Sequence, residues 1–269
     1  MVAYWLWTGD KEPAALREDI LAARDAACAV GETLDSLHIH PSYRKPSEPQ
    51  ISQKDYDEAL KIALELMPGV SHLELSLNHE TRLFPSSFRN LRKLVLSGTE
   101  YGLIRLQTTI IPPLPPSLEY LHLKHLETAG FSSMCTNLRV LLLTTVTFSE
   151  PDHLIHCLRN TPAIEILGLS YCDRGSLTPS ALAKIPATVK HVYSSASTSR
   201  EALAALPDTV SSLTYVEPAH LLTRLSQLSD LSYACFKKEI SFTRQKEGWR
   251  RGPRYPVEAW AEEKLKGIA

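Results

Sequence analysis

The residues of this chain best suited to chemistry are histidines, tyrosines and isolated charges that recur at every second position of short apolar segments. His38 is followed by His40, His72 by Glu74, Tyr120 by His122 and Lys124, and His191 by Tyr193. On a β-strand, residues i and i+2 leave the same face, so each pair presents its polar groups in one direction. Five of the ten histidines, His38, His40, His72, His122 and His191, are placed this way. A histidine beside a carboxylate can take up and return a proton, and a neighbouring tyrosine or lysine can supply one. That chemistry suits an acid–base isomerisation or cyclisation, with His38, Glu74, His72, Tyr120 and His122 as the acting groups, and it needs no linear motif. The chain has no G-x-S-x-G, P-loop, H-E-x-x-H or dinucleotide fingerprint, so no cofactor is expected. His38 and His40 with His72 or Glu74 have donor types that metals accept, but no C-x-x-C is present, and no metal is expected.

For these side chains to meet, the segments carrying them must lie side by side. A six-residue frame, apolar at its first, fourth and usually sixth positions, can be laid down nine times. It starts at Leu34 (LDSLHI), Val70 (VSHLEL), Leu91 (LRKLVL), Leu118 (LEYLHL), Leu138 (LRVLLL), Ile164 (IEILGL), Val189 (VKHVYS), Val210 (VSSLTY) and Leu228 (LSDLSY). After a first interval of 36 residues the starts are 18 to 27 apart, a repeat period typical of stacked units. A strand with this pattern buries one side and cannot form a core alone, so copies must stack. Positions four and six then turn inward, while three, five and seven project from the opposite face.

Reading the projecting positions along the chain gives a polar cluster of His38, His40, His72, Glu74, Lys93, Tyr120 and His122, with Val95 and Lys124 among the same projecting positions. Strands about 4.8 Å apart put Glu74 beside His38. An apolar floor follows, made by Val140, Leu142, Ile166 and the bare backbone at Gly168, and beyond it stand His191 and Tyr193. Such a face fits a protein partner or a small apolar molecule with a few polar groups.

The flanks read as caps. Asp10 can open a helix through Leu16, Ile20, Ala23, Ala27 and Val30 that Gly31 ends, with Trp5 and Trp7 in an edge strand or plug before it. After Phe236 the frame stops. Lys237 to Arg254 carries seven Lys/Arg against two Glu, with Phe242 and Trp249 interleaved, and Pro256 opens a last short helix with Trp260 and Leu265. A terminal cap is the favoured reading of this stretch, over a contact with nucleic acid. The division is residues 1–33 as a helical cap, 34–236 as about nine repeats and 237–269 as a basic cap or tail, all in one domain. Between frames, Tyr56, Leu60, Leu64 and Met67 mark a helix. Short helices are expected at His153 to Arg159, Pro179 to Lys184, Arg200 to Leu206 and Ala219 to Leu225. Gly98 to Ser117 reads as an extended run, and Pro41 to Ser52 as a polar loop or lid.

The 269 residues are 43% hydrophobic and 22% charged with a net charge of -1, enough for a continuous core and without a global field toward nucleic acid or anionic membranes. No segment reaches eighteen uninterrupted apolar residues, and the five scattered cysteines suit buried thiols in a reducing compartment. A cytoplasmic protein is expected.

Over roughly Leu34 to Phe236 the series of frames resembles the leucine-rich repeat family. The lead-ins LPPSL (Leu114 to Leu118), IPATV (Ile185 to Val189) and LPDTV (Leu206 to Val210) look like the proline-led turns of FNIP-type repeats, and the irregular lengths look like fungal and amoebal repeat proteins. The resemblance implies an α/β solenoid, a horseshoe with a curved parallel sheet on its concave side and irregular short helices or extended segments on its convex side. It implies an intracellular binding module that grips a protein partner on the concave face. The alternative is an acid–base isomerase or cyclase of an apolar, natural-product-like substrate. No F-box-like helical domain fits ahead of Leu34, so the adaptor role of that group is not carried over.

Overall fold

A computed structural model of the chain describes residues 3–7, 13–39, 53–76, 88–98, 111, 113–128, 131, 133–148, 150–170, 172, 179–194, 206–207, 209–210, 212–215, 233–236, 240–245, 248–252 and 257–266. In chain order the elements are β1 (Ala3–Trp7), α1 (Pro13–Ala29), β2 (Leu34–Ile39), α2 (Gln53–Leu66), β3 (His72–Ser76), β4 (Lys93–Ser97), β5 (Tyr120–Lys124) and β6 (Glu127–Thr128). There follow β7 (Val140–Thr144), β8 (Thr147–Phe148), α3 (Pro151–Arg159), β9 (Ile166–Ser170), α4 (Pro179–Leu182), β10 (His191–Ser194) and β11 (Ser212–Tyr215). The last elements are β12 (Tyr233–Phe236), β13 (Ile240–Gln245), β14 (Gly248–Gly252) and α5 (Val257–Lys266).

Eight frames each give one strand of a nine-stranded sheet in the order β1-β2-β3-β4-β5-β7-β9-β10-β11, every pairing parallel. This is an α/β repeat fold. The fourth positions align as Leu37, Leu73, Leu94, Leu121, Leu141, Leu167 and Val192, and the sixth as Ile39, Leu75, Leu96, Leu123, Leu143 and Leu169. All thirteen belong to one buried cluster. Because the side-chain period of a strand is two, a slip of one residue anywhere would turn its leucines outward, so the apolar frame fixes the register.

The proline-led lead-ins have a common physical role. In LPPSL, IPATV and LPDTV a backbone bond closes the turn onto the proline carbonyl, from Leu118, Val189 and Val210 to Pro115, Pro186 and Pro207, at 3.1, 3.0 and 3.1 Å. The preceding Ser or Thr then donates to a carbonyl of the previous repeat: Ser117 to Leu91 at 2.8 Å, Thr188 to Pro162 at 2.9 Å and Thr209 to Val189 at 3.2 Å. Asn137 does the same to Pro116 at 2.7 Å. These bonds satisfy backbone acceptors that a repeat boundary would otherwise leave open.

The strand exits are equally regular. Gly98, His125 and Thr145 donate their N–H groups to Lys124, Thr144 and Ser170, at 2.8, 2.9 and 2.7 Å. His125 and Thr145 do so at φ of 52° and 54°, a left-handed conformation costly for non-glycine residues. At Gly98 a Cβ would run into the His125 carbonyl. Gly98→Ala is therefore expected to destabilise the protein by about 1–3 kcal/mol, read as a lower urea midpoint with an unchanged m-value. The residues that follow the two left-handed positions, Leu126 and Val146, are buried and apolar. Cys172, two residues past Ser170, is buried and its Sγ approaches the Leu143 carbonyl at 3.5 Å.

At the N-terminal flank β1 is an edge strand on β2, and α1 lies against α2, tied by Arg17–Glu65 at 2.7 Å. At the C-terminal flank β12 lies against β11 and pairs antiparallel with β13, which pairs antiparallel with β14. The basic stretch thus supplies two strands, separated by two residues as a tight hairpin requires. Its side chains lie outside the described residues, as do the Pro41 to Ser52 loop, the expected helix at Ala219 to Leu225 and all but Leu206 of that at Arg200 to Leu206. Of Gly98 to Ser117, Gly98, Ile111 and residues 113–117 are described.

Candidate functional site

The face opposite the main core carries the odd frame positions in aligned rows. One runs Ser36, His72, Lys93, Tyr120, Val140, Ile166, His191 and Ser212. The next runs His38, Glu74, Val95, His122, Leu142, Gly168, Tyr193 and Thr214. A third joins Ser76, Ser97, Lys124, Thr144 and Ser170. His40 lies outside the described residues.

Across β2 to β5 these rows enclose a cavity of about 230 Å³ lined by Ser36, His38, His72, Leu73, Glu74, Lys93, Val95, Tyr120, His122 and Lys124. His38 Nδ1 lies 3.0 Å from Glu74 Oε2. His72 Nδ1 meets Ser71 Oγ at 2.8 Å, and its burial, against a partial pull from Asp35, holds its pKa below the ordinary histidine value. His122 is buried at 1% exposure and its Nε2 hydrogen-bonds Thr144 Oγ1 at 2.8 Å. Burial, reinforced by Lys124, pushes its pKa down to about 3. His122 is therefore neutral at physiological pH, a hydrogen-bonding group in the cavity wall. Lys93 Nζ sits 4.7 Å from the centre of the Tyr120 ring, a cation–π contact.

The apolar floor is present but covered. Val140, Leu142 and Ile166 are each 0% exposed, and with Tyr120 and Tyr193 they form a second buried cluster closed by Ala261, with Leu265 against it. Ala261 and Leu265 are i and i+4 on α5, so they share the face turned to the sheet. Glu262, on one flank of that helix, reaches Lys93 at 2.9 Å. Lys264 is on the other flank, near His191. The expectation that Val140, Leu142, Ile166 and Gly168 form an open ligand floor is corrected here: the chain's own last helix occupies it, touching β7 and β9. An outward apolar row needs a cover, and the terminal helix α5 supplies it through Ala261 and Leu265.

His191 and Tyr193 do not join the polar cavity. They sit on β10, three strands from β5, or about 14 Å at sheet spacing. Tyr193 is buried beneath α5. Burial, with Lys264 and Lys190 nearby, pushes the His191 pKa down to about 4, and its Nδ1 is buried without a hydrogen-bond partner among the described residues. No group of three or more His, Cys, Asp or Glu able to hold a metal occurs among the described residues. Nor is any described helix long and apolar enough to cross a membrane.

No protein-family model matches the chain, and no curated protein matches it. Among solved structures it is similar to the leucine-rich repeat-containing protein LegL7 from Legionella pneumophila, at 17% identity and a TM-score of 0.41, over 79% of this chain and 72% of that one. At that score the likeness carries no argument about function.

Proposed function

We propose that the chain is a single-domain leucine-rich repeat horseshoe that binds a protein partner on the concave side of its sheet. The observation that carries this reading is the unbroken, in-register outward face, with a polar cavity opening among His38, His72, Glu74, Lys93 and Lys124. A cavity of about 230 Å³ is smaller than the ~300–1,000 Å³ of typical small-molecule sites and takes one or two side chains of a partner. Tyr120 and Val95 give that cavity apolar lining for such a side chain, and the charged groups set orientation. Cys28, Cys135 and Cys157 are free thiols, which suits a reducing, cytoplasmic setting.

Peptides selected by display on the intact protein test the reading. Glu74→Lys and Lys124→Glu are each expected to weaken the selected peptides at least about tenfold. Arg159→Glu, exposed on α3, should leave them unchanged. Binding within about twofold of wild type in both reversals would remove the polar cavity from the interface.

A second reading is favoured by the His38–Glu74 pair at 3.0 Å: acid–base chemistry on a small polar substrate, His38 moving the proton while Glu74 orients it. An apolar, natural-product-like substrate fits poorly while α5 holds the floor. Turnover of a candidate substrate that survives Glu74→Gln and His38→Ala would end this reading.

A further inference from the structure

We infer that α5 is an internal ligand, and that the partner of this face presents an amphipathic helix of the same chemistry: two apolar residues at i and i+4 for the floor and a carboxylate at i+1 for Lys93. The inference rests on the protein-binding reading above and specifies its partner.

The floor under α5 is built from the same outward rows as the open polar cavity. Tyr120 belongs to both, its ring under Lys93 and its side chain in the cluster with Val140, Leu142 and Ile166. Lys93 likewise lines the cavity and holds Glu262 at 2.9 Å. The open polar part and the covered apolar part are thus one continuous surface, of which α5 fills the half that a partner would find most adhesive. The groups that seat α5 match it by charge as well as polarity: Ala261 and Leu265 meet aromatic and aliphatic side chains, and Glu262 meets a lysine. That ion pair is solvent-accessible, with side-chain exposures of 30% and 54%, so it can be exchanged for a partner's carboxylate. A longer helix of the same pattern would displace α5 and extend over the cavity beside it.

The probe is a labelled synthetic peptide of residues 253–269, titrated into the full-length protein. Wild type should bind it weakly, because α5 holds the floor. Glu262→Lys, which repels Lys93, and Leu265→Glu, which puts a charge against the floor, should each bind it at least tenfold more tightly. Adding Lys93→Glu to Glu262→Lys restores the internal pair with its charges exchanged and should return binding to the wild-type level. The two opening substitutions are on α5 and leave the sheet intact, and Glu262→Lys changes an exposed side chain, so at least one folded opened variant is available; unchanged far-UV circular dichroism verifies it. Equal binding by wild type and the folded opened variants would overturn the inference, as would no binding by either. Concentration-dependent dimers formed by exchange of α5 between copies would also overturn it in favour of self-association. Failure here with peptides still sensitive to Glu74→Lys would sink this inference alone; insensitivity to Glu74→Lys and Lys124→Glu would sink the reading of the face.

Discussion

Taking the protein from pH 7 to pH 4 is expected to cost roughly 5 kcal/mol of folding stability, chiefly through His122 and His191. Both have folded-state pKa values below the ordinary histidine value, about 3 and about 4, each mainly because burial opposes the charged imidazolium. Above about pH 6.5 both are neutral whether folded or unfolded, and the full stability is present. As the pH falls below that value the unfolded chain takes up protons that the folded one refuses, so stability drops by about 1.4 kcal/mol per pH unit for each group until its folded pKa is reached. His122, at 1% exposure, carries the larger share, ~3 kcal/mol by pH 4; the more accessible His191 carries less. Urea unfolding at pH 7, 5.5 and 4 measures the slope. His122→Gln, which keeps a hydrogen-bonding group for Thr144, should flatten that slope by about 1.4 kcal/mol per unit between pH 6.5 and 4. An unaltered slope in that variant would mean that His122 titrates normally.

The histidine rows show what a sequence of this kind discloses. A repeated L-x-x-L-x-L frame determines both the stacking and the facing of every strand, so the alignment of Leu94, Leu121 and Leu167 in the core was legible. The contact of His38 with Glu74 followed from it. These are consequences of one local period applied many times. The fate of residues 240–266 was not legible, because no period connects them to the sheet. β12, where the ninth frame ends, lies against β11 and opens the antiparallel β12–β13–β14 sheet, and α5 settles on β7 and β9, whose residues are about a hundred positions earlier. The burial of His122 is illegible for the same reason: its frame position gives its direction, while its burial depends on neighbours contributed by other strands. Only the outward apolar run Val140, Leu142, Ile166 hinted at a cover.

Leu121 and Leu142 offer the sharpest contrast between the two faces, for both are 0% exposed and they differ in what encloses them. Leu121 lies between Leu94 and Leu141 in the main core, whose walls are strands held by ladders on both sides. Leu121→Ala leaves a cavity that cannot close, and is expected to cost about 3–5 kcal/mol. Leu142 lies between His122 and Gly168 under α5, a cover seated through Ala261, Leu265 and the accessible Lys93–Glu262 pair, and such pairs contribute little. There α5 can sink into the vacated space, and Leu142→Ala is expected to cost about 1–2 kcal/mol, the lost transfer of the removed methyl groups without most of the cavity term. Denaturant unfolding of the two variants under one set of conditions measures the difference. Equal losses would mean that α5 is as rigidly built in as the core strands, leaving no exchangeable surface beneath it; a gap of about 2 kcal/mol or more means that the helix covers the sheet without being part of its foundation.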